Sequence, residues 1–263
     1  MTSAGDNICV EVAGGIAWLQ INRPQARNAL SRSTLLDLGK QCAAVSADTS
    51  VKAVVVTGEG AEAFAAGGDL KELSQLRAAS DVEAFFDDAA GALDHIRRCP
   101  VPTVAALNGW ALGGGAELAL ACDFRVAAAH AKIGYIQARL NISCGFGGGA
   151  DLMGRLGYSR AMLHGLTAQP LAATQALVQG LVDVVAAADE PLQDCVLQFL
   201  QPVLKQTPLV IRAYKAMAIA EREGLPMAER RRIEREWFTR TWTHQDHWDA
   251  VDAMFRERKE KAS

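Results

Sequence analysis

Asn108-Gly-Trp-Ala-Leu-Gly-Gly-Gly-Ala-Glu-Leu-Ala-Leu-Ala-Cys-Asp123 places three consecutive glycines between an apolar strand-like run and an apolar helix-like run, and the fold reads outward from that junction. Upstream, Val101 to Leu107 carries a proline at its second position, is apolar and partly β-branched, and predicts a buried strand. Downstream, Ala116 to Cys122 is apolar on almost every side and predicts a buried helix. The first-turn amides of Gly114 and Gly115 have no carbonyl partner inside such a helix, and glycine lets another group approach the backbone closely. Bare amides at a helix start suit an anion. Glu117 falls in that first turn, where the helix dipole favours a negative charge, yet desolvating a carboxylate without a partner costs several kcal/mol, order of magnitude. In so apolar a setting it is the candidate functional carboxylate.

Toward the N-terminus, Ile8 to Val12 and Gly15 to Ile21 predict a hairpin across Ala13-Gly14, closed by Asn22-Arg23-Pro24. Ser31 to Ser46 carries Leu35, Leu36, Leu38, Cys42 and Val45 at helical spacing, with Ser31 or Ser33 as cap. Ala53 to Thr57 predicts a buried strand, Gly58 to Leu70 a loop, and Asp81 to Arg98 a mostly polar helix. Toward the C-terminus, Asp123 to Ala127 and Leu181 to Val185 add strands. Strands alternating with helices imply helices packed on a mainly parallel sheet, with the early hairpin as an antiparallel addition. Beyond Glu190 the pattern is helical, with Pro191, Pro208 and Pro226 at helix starts. Residues 1–190 are expected to form the core and 191–263 a helical oligomerisation region, and the sequence shows no internal repeat.

A chain of 263 residues can bury a large core. A formal net charge of -3 gives no electrostatic footprint for nucleic acid or an anionic membrane. The six cysteines, at 9, 42, 99, 122, 144 and 195, form no Cys-x-x-Cys pair, which points to reduced thiols rather than a disulfide framework or a zinc site. The opening Met-Thr-Ser-Ala-Gly-Asp-Asn lacks the basic and apolar regions of a targeting signal, and no apolar run reaches membrane-span length. The expectation is a cytoplasmic protein.

The second special stretch is Glu62-Ala-Phe-Ala-Ala-Gly-Gly-Asp-Leu-Lys-Glu-Leu73, where small residues permit close backbone approach and Asp69 can cap or orient the loop. Phe64 to Leu70 together with Asn108 to Leu118 resembles the enoyl-CoA hydratase/isomerase, or crotonase, superfamily. Asn22-Arg-Pro-Gln-Ala-Arg-Asn-Ala-Leu30 is similar to that family's N-terminal motif, and Leu166-Thr-Ala-Gln-Pro-Leu-Ala-Ala-Thr-Gln-Ala-Leu-Val-Gln-Gly-Leu-Val182 to a later one. The resemblance spans essentially the whole chain in the family's order.

It implies an α/β crotonase-type spiral of ββα units with a C-terminal helical trimerisation region, assembled as a homotrimer or a dimer of trimers. It implies an acyl-CoA thioester substrate, with no cofactor beyond the coenzyme A of that substrate. The thioester enolate would be held by two backbone amides, those of Gly68 and Gly114 by position, and Gly114→Pro would delete one of them. Coenzyme A contacts fall on the backbone of Ala26, Ala66, Gly68, Asp69 and Leu70. Arg27 is placed to meet a phosphate, and Phe255 and Arg258 would reach the site from a neighbouring subunit.

One position departs from the pattern. Hydratases of the family carry a second glutamate after the strand Asp123 to Ala127, and aligning Ile133-Gly-Tyr-Ile-Gln-Ala-Arg-Leu-Asn-Ile-Ser-Cys-Gly-Phe-Gly-Gly148 puts Gln137 there. An amide can hold water or a substrate oxygen but cannot exchange a proton at neutral pH. With Glu117 as the lone acid/base, three chemistries remain: double-bond isomerisation, decarboxylation of a malonyl-type CoA, and hydration by one carboxylate. A non-catalytic acyl-CoA or RNA binder is the competing class, disfavoured by the intact Glu117 and the lack of a basic stripe.

Other features carry less. Gly145-Phe-Gly147-Gly-Gly-Ala150 has dinucleotide-fingerprint spacing but lacks the preceding strand and the later acidic residue. Tyr135 and Arg139 flank Gln137 and are read as structural, and Cys144 has no basic neighbour to activate it. His244 and His247 are read as surface or interface residues rather than a metal site. Arg230-Arg-Arg232 alternates with glutamates as a solvated helix does. The acyl-pocket walls are expected from Leu73 to Arg98 and the helical tail.

Overall fold

Strand-forming and helix-forming stretches alternate along the chain, and in space they wind. The computed structural model describes residues 7–261. β1 (Ile8–Ala13) and β2 (Ile16–Ile21) pair antiparallel across Gly14 and Gly15, whose φ values of 59° and 80° favour glycine. α1 (Arg32–Ala47) starts at Ser31, whose side chain accepts from the Thr34 amide. Then come β3 (Ala53–Gly58), β4 (Ala63–Ala65), the single turn α2 (Leu70–Leu73) and α3 (Ala79–Arg97). β5 (Thr103–Leu107), β6 (Trp110–Leu112) and α4 (Gly114–Ala121) follow, and after them β7 (Phe124–Ala127), β8 (Lys132–Gly134) and α5 (Gly148–Leu156). From β3 onward the chain has therefore turned three times through strand, strand, helix. The repeat is one of structure, with no matching repeat in sequence.

α6 (Tyr158–Thr167), β9 (Leu171–Ala172), α7 (Ala173–Val178) and β10 (Val184–Val185) complete the core. The first strand of each turn joins a six-stranded sheet of order β1-β2-β3-β5-β7-β10, parallel from β2 onward. The second strand joins a four-stranded sheet of order β4-β6-β8-β9, in which β4, β6 and β8 run parallel and β9 antiparallel. Those short strands lie where the sequence predicts loop or no element. Two or three residues are too few for alternation to show. The strand expected over Leu181 to Val185 narrows to its last two residues.

Alternation along the large sheet sorts side chains to its two faces. Val54, Val56, Ala105 and Leu107 join the main core with Leu35, Leu93 and Leu118. Ala53, Val55, Val104 and Ala106 face the other way and are covered by Cys195, Val196 and Leu200 of α8 (Leu192–Leu204). α9 (Pro208–Arg222) returns to the sheet through Lys215, which is buried and ion-paired with Asp123. α10 (Met227–Trp242) packs on α9, and α11 (Gln245–Lys261) on α10. Neither of these last two helices has the buried face of the core helices, and Phe238, Trp242 and Trp248 stand exposed. No helix among the described residues is long and apolar enough to cross a membrane.

Candidate active site

The small sheet, unforeseen in the sequence, organises the site. β4, β6 and β8 are adjacent and parallel, and just past their C-terminal ends stand Gly68, Gly114 and Gln137 respectively.

Past β6, Gly113 turns the chain at φ 55°. Its carbonyl accepts from the Ala116 and Glu117 amides at 3.0 and 3.1 Å. The amides of Gly114 and Gly115 then have no acceptor among the described residues, as expected at a helix start. Gly115 must be glycine, since a Cβ there would fall 2.0 Å from the Ala65 carbonyl oxygen of β4.

Past β4, the loop makes a one-residue parallel bridge between Gly68 and Leu30. The bridge uses the neighbours' groups: the Leu30 amide donates to the Gly67 carbonyl at 2.8 Å, and the Asp69 amide to the Leu30 carbonyl at 3.0 Å. Gly68's own amide therefore points away from Leu30 and has no acceptor among the described residues. Gly67, at φ 118°, lies against the α4 start: a Cβ there would fall 3.2 Å from the Leu112 carbonyl oxygen and 4.0 Å from the Gly114 nitrogen.

The loop is pinned from the N-terminal motif. Asn28, buried at φ 54°, accepts from the Arg23 amide at 3.1 Å and donates to the Glu59 and Ala63 carbonyls at 3.0 and 2.7 Å. Arg23 donates to the Ala29 carbonyl at 2.6 Å and to Asp69 at 2.9 Å. Asp69 also caps α2, and the Arg23 guanidinium holds its carboxyl below the usual range despite partial burial.

Glu117 is 1% exposed. Its Oε1 accepts from Gln137 Nε2 at 2.8 Å and from the Gly145 amide at 3.1 Å, and its Oε2 from the Phe146 and Gly148 amides at 2.9 and 2.8 Å. It has no ion pair among the described residues. The glycine-rich loop that resembled a nucleotide fingerprint is a cradle for this carboxylate. Gly148 cannot be otherwise, since a Cβ there would fall 2.5 Å from Glu117 Cβ. Tyr135 holds the cradle by donating to the Gly148 carbonyl at 3.2 Å, and Arg97 donates to the Phe146 carbonyl at 3.4 Å. Burial, with the Glu117 charge second, pushes the Tyr135 hydroxyl well up and the Cys144 thiol to about 11. Cys144 is thus no thiolate at neutral pH.

The chain brings together Glu117, Gln137, Gly68 and Gly114, with the Ala66 to Leu70 loop beside them. Ala66 donates its amide to the Arg27 carbonyl at 3.1 Å, and the Asp69 amide is taken by Leu30, which leaves Ala66 its carbonyl to offer. Ala26 ends the Pro24–Ala26 turn. Arg27 is exposed and ion-paired with Glu62 at 2.9 Å, and Leu70 is exposed. Phe255 and Arg258 lie exposed on α11, with no hydrogen bond or ion pair to the residues around Glu117 among those described. His247 stacks on Trp242 with ring centroids 4.6 Å apart, and no three potential ligands converge on a metal site among the described residues. What the sequence did not reveal is the cradle of Gly145, Phe146 and Gly148, whose only local signal is its glycines. The Gly114→Pro test also changes meaning: a Cβ on Gly114 would fall 2.3 Å from the Phe146 ring, so the substitution disturbs packing as well as the donor.

A family model for enoyl-CoA hydratase/isomerase matches residues 11–262. The crotonyl-CoA hydratase of Syntrophomonas wolfei is 35% identical over 258 residues, covering 97% of each chain. The 2,3-dehydroadipyl-CoA hydratase of Escherichia coli is 34% identical over 244 residues, covering 92% of this chain and 93% of that one. The crystal structure of an enoyl-CoA hydratase from Bacillus anthracis superposes with a TM-score of 0.88 at 28% identity, over 96% of this chain and 97% of that chain. With its two-sheet winding and helical C-terminal region the fold is of crotonase type, and the chain belongs to the enoyl-CoA hydratase/isomerase family.

Proposed function

We propose that the chain acts on an enoyl-CoA thioester, with the thioester oxygen held between the amides of Gly68 and Gly114 and Glu117 as the proton carrier. The observation that carries this reading is Glu117 itself: a buried carboxylate held by four neutral donors and no cation, one turn beyond an unpaired helix-start amide. Each amide aimed at developing oxyanion charge contributes roughly 3 to 4 kcal/mol. In isomerisation, Glu117 takes the proton from one carbon and its C–H electron pair delocalises onto the thioester oxygen. The pair then returns as the proton is delivered two carbons along, moving the double bond. In hydration, Glu117 takes the proton of the attacking water and delivers it to the α carbon. Either route uses one carboxylate, and Gln137 supplies only a hydrogen bond.

Coenzyme A would lie along the backbone of Ala26, Ala66 and Gly68 to Leu70, with Arg27 leaving Glu62 for a phosphate. Phe255 and Arg258 would come from a neighbouring subunit of a homotrimer or dimer of trimers. In support, a groove of about 450 Å³ lined by Val210, Phe238, Trp242 and His247 stands open in the C-terminal helices. No cofactor beyond the substrate's coenzyme A belongs to this proposal, and the six free cysteines suit a cytoplasmic setting.

A second reading is favoured by Gln137. Loss of carbon dioxide from a malonyl-type thioester yields the enolate directly, and a neutral amide repels the leaving carboxylate less than a second glutamate would.

Mass spectrometry of the protein in deuterated water with crotonyl-CoA, a 3-enoyl-CoA and methylmalonyl-CoA, alongside Glu117→Gln, separates these. Deuterium-marked hydration or double-bond migration that vanishes in the variant is expected. Carbon dioxide release from methylmalonyl-CoA, with both enoyl thioesters untouched, would replace the first reading by the second. Failure to turn over any of them would sink both.

A further inference from the structure

We propose that Phe146 sets the length of the acyl group the site admits. The inference rests on the acyl-CoA reading above and names what limits its substrate. Phe146 is 4% exposed. Its ring lies over Gly114 and Gly68, whose amides are unpaired among the described residues, since Cβ atoms built on them would fall 2.3 and 3.4 Å from ring carbons. Behind it stands Phe85 of α3, with ring centroids 5.7 Å apart and planes tilted by 59°. Leu73 adds its side chain at the Gly68 end.

The backbone of Phe146 is fixed on both sides. Its amide donates to Glu117 at 2.9 Å, and its carbonyl accepts from Arg97, which is itself held by Asp151 at 2.8 Å. The ring therefore cannot leave by moving the loop without releasing Glu117. A thioester whose oxygen meets the two amides and whose reacting carbons meet Glu117 begins its acyl chain beside this ring. Carbons beyond the reacting ones run into it.

Removing the ring leaves an apolar cavity against Phe85, of the kind that stays dry and accepts an apolar guest. Each methylene buried there improves binding about fourfold, the equivalent of its transfer free energy. Phe146 comes from the Gly145-to-Gly148 loop, while Phe85 behind it and Leu73 beside it belong to the Leu73-to-Arg98 stretch expected from the sequence.

The test is the dissociation constant of saturated butyryl-, octanoyl- and dodecanoyl-CoA, measured by calorimetry on the full chain and on Phe146→Ala, Phe146→Leu and Phe85→Ala. These thioesters carry no double bond, so binding is read without turnover. Wild type is expected to bind butyryl-CoA most tightly. Phe146→Ala should raise the octanoyl-to-butyryl affinity ratio at least tenfold, with smaller rises in Phe146→Leu and Phe85→Ala. If Phe146→Ala does not fold, the other two variants decide by the same ratio. An unchanged ratio in folded variants, or a wild type that already prefers dodecanoyl-CoA, overturns this proposal alone. A wild type that binds none of the three overturns the acyl-CoA reading together with it.

Discussion

Two carboxylates bracket α4, and the chain compensates them in opposite ways. Asp123, just past the helix, accepts from the Thr103 amide and hydroxyl at 2.8 and 3.0 Å, and both its oxygens meet the buried Lys215 ammonium at 2.5 and 2.6 Å. Glu117, in the first turn, meets three backbone amides and one side-chain amide and no cation among the described residues. Removing Asp123 would strand a buried ammonium. Removing Glu117 would strand no opposite charge among the described residues. The difference suggests a way to tell a structural acid from the proposed working one in the same apolar setting: the proposed one is surrounded by neutral dipoles.

The sharpest way to break the contrast is Glu117→Gln. Turnover should fall by about 10² to 10⁴, the range for a lost acid/base. Gln137 can rotate its amide to meet the new NH₂ group, but the Gly145 amide at 3.1 Å cannot. Chemical denaturation should therefore show a loss of roughly 1 to 3 kcal/mol, that of one buried unmatched donor. Activity that survives would mean Glu117 is as structural as Asp123.

Lys215→Met tests the other carboxylate. Leaving Asp123 without its cation should cost roughly 3 to 5 kcal/mol in urea unfolding, while turnover per folded molecule stays near that of wild type. A stable variant, or one that is folded but inactive, would erase the distinction.

The neutral-dipole idea extends to the proposed oxyanion donors. Gly68→Pro removes one amide, and the added Cβ meets the flexible end of Leu73 at 2.6 Å and the edge of the Phe146 ring at 3.4 Å. Turnover should drop by about 10² to 10³, and Gly68→Ala, which adds the same Cβ but keeps the N–H, should retain most activity. Equal losses in the two variants would assign the effect to packing.

The smallest effect concerns Asp69, a third carboxylate and another cation-bound one. Arg23 holds its folded pKa below the unfolded value of 3.8, so its contribution is present above that value and is lost as pH falls through the lower folded one. Asp69→Asn should cost about 1 kcal/mol at pH 7, the size of a lost cap or exposed pair. The gap from wild type should narrow below about pH 4 in denaturation at stepped pH. A gap independent of pH would mean that capping alone, without charge, is what Asp69 supplies.

What could be read from sequence follows the range of the interactions involved. Ala53 to Thr57 and Val101 to Leu107 announce buried strands, and Ser31 caps the helix it was expected to cap, because those signals sit within a few residues. Glu117 was legible as a polar intruder in an apolar helix, and Gly114 as the glycine that opens that helix. The strands Ala63–Ala65, Trp110–Leu112 and Lys132–Gly134 were not, because each exists only through pairing with its neighbours. The cradle around Glu117 was hidden for the same reason. Three amides converging on one carboxylate some thirty residues away leave no spacing in the chain to detect.

The small sheet also separates two kinds of inheritance. β4, β6 and β8 set the heights at which Gly68, Gly114 and Gln137 emerge, like pegs on a shared rail, while α3 follows β4 and the Phe146 ring hangs from the loop between β8 and α5. On the proposed reading, substitutions at Phe85 or Phe146 reshape what the site holds without shifting the rail. On that reading, descendants of this chain have room to change their diet while keeping their chemistry.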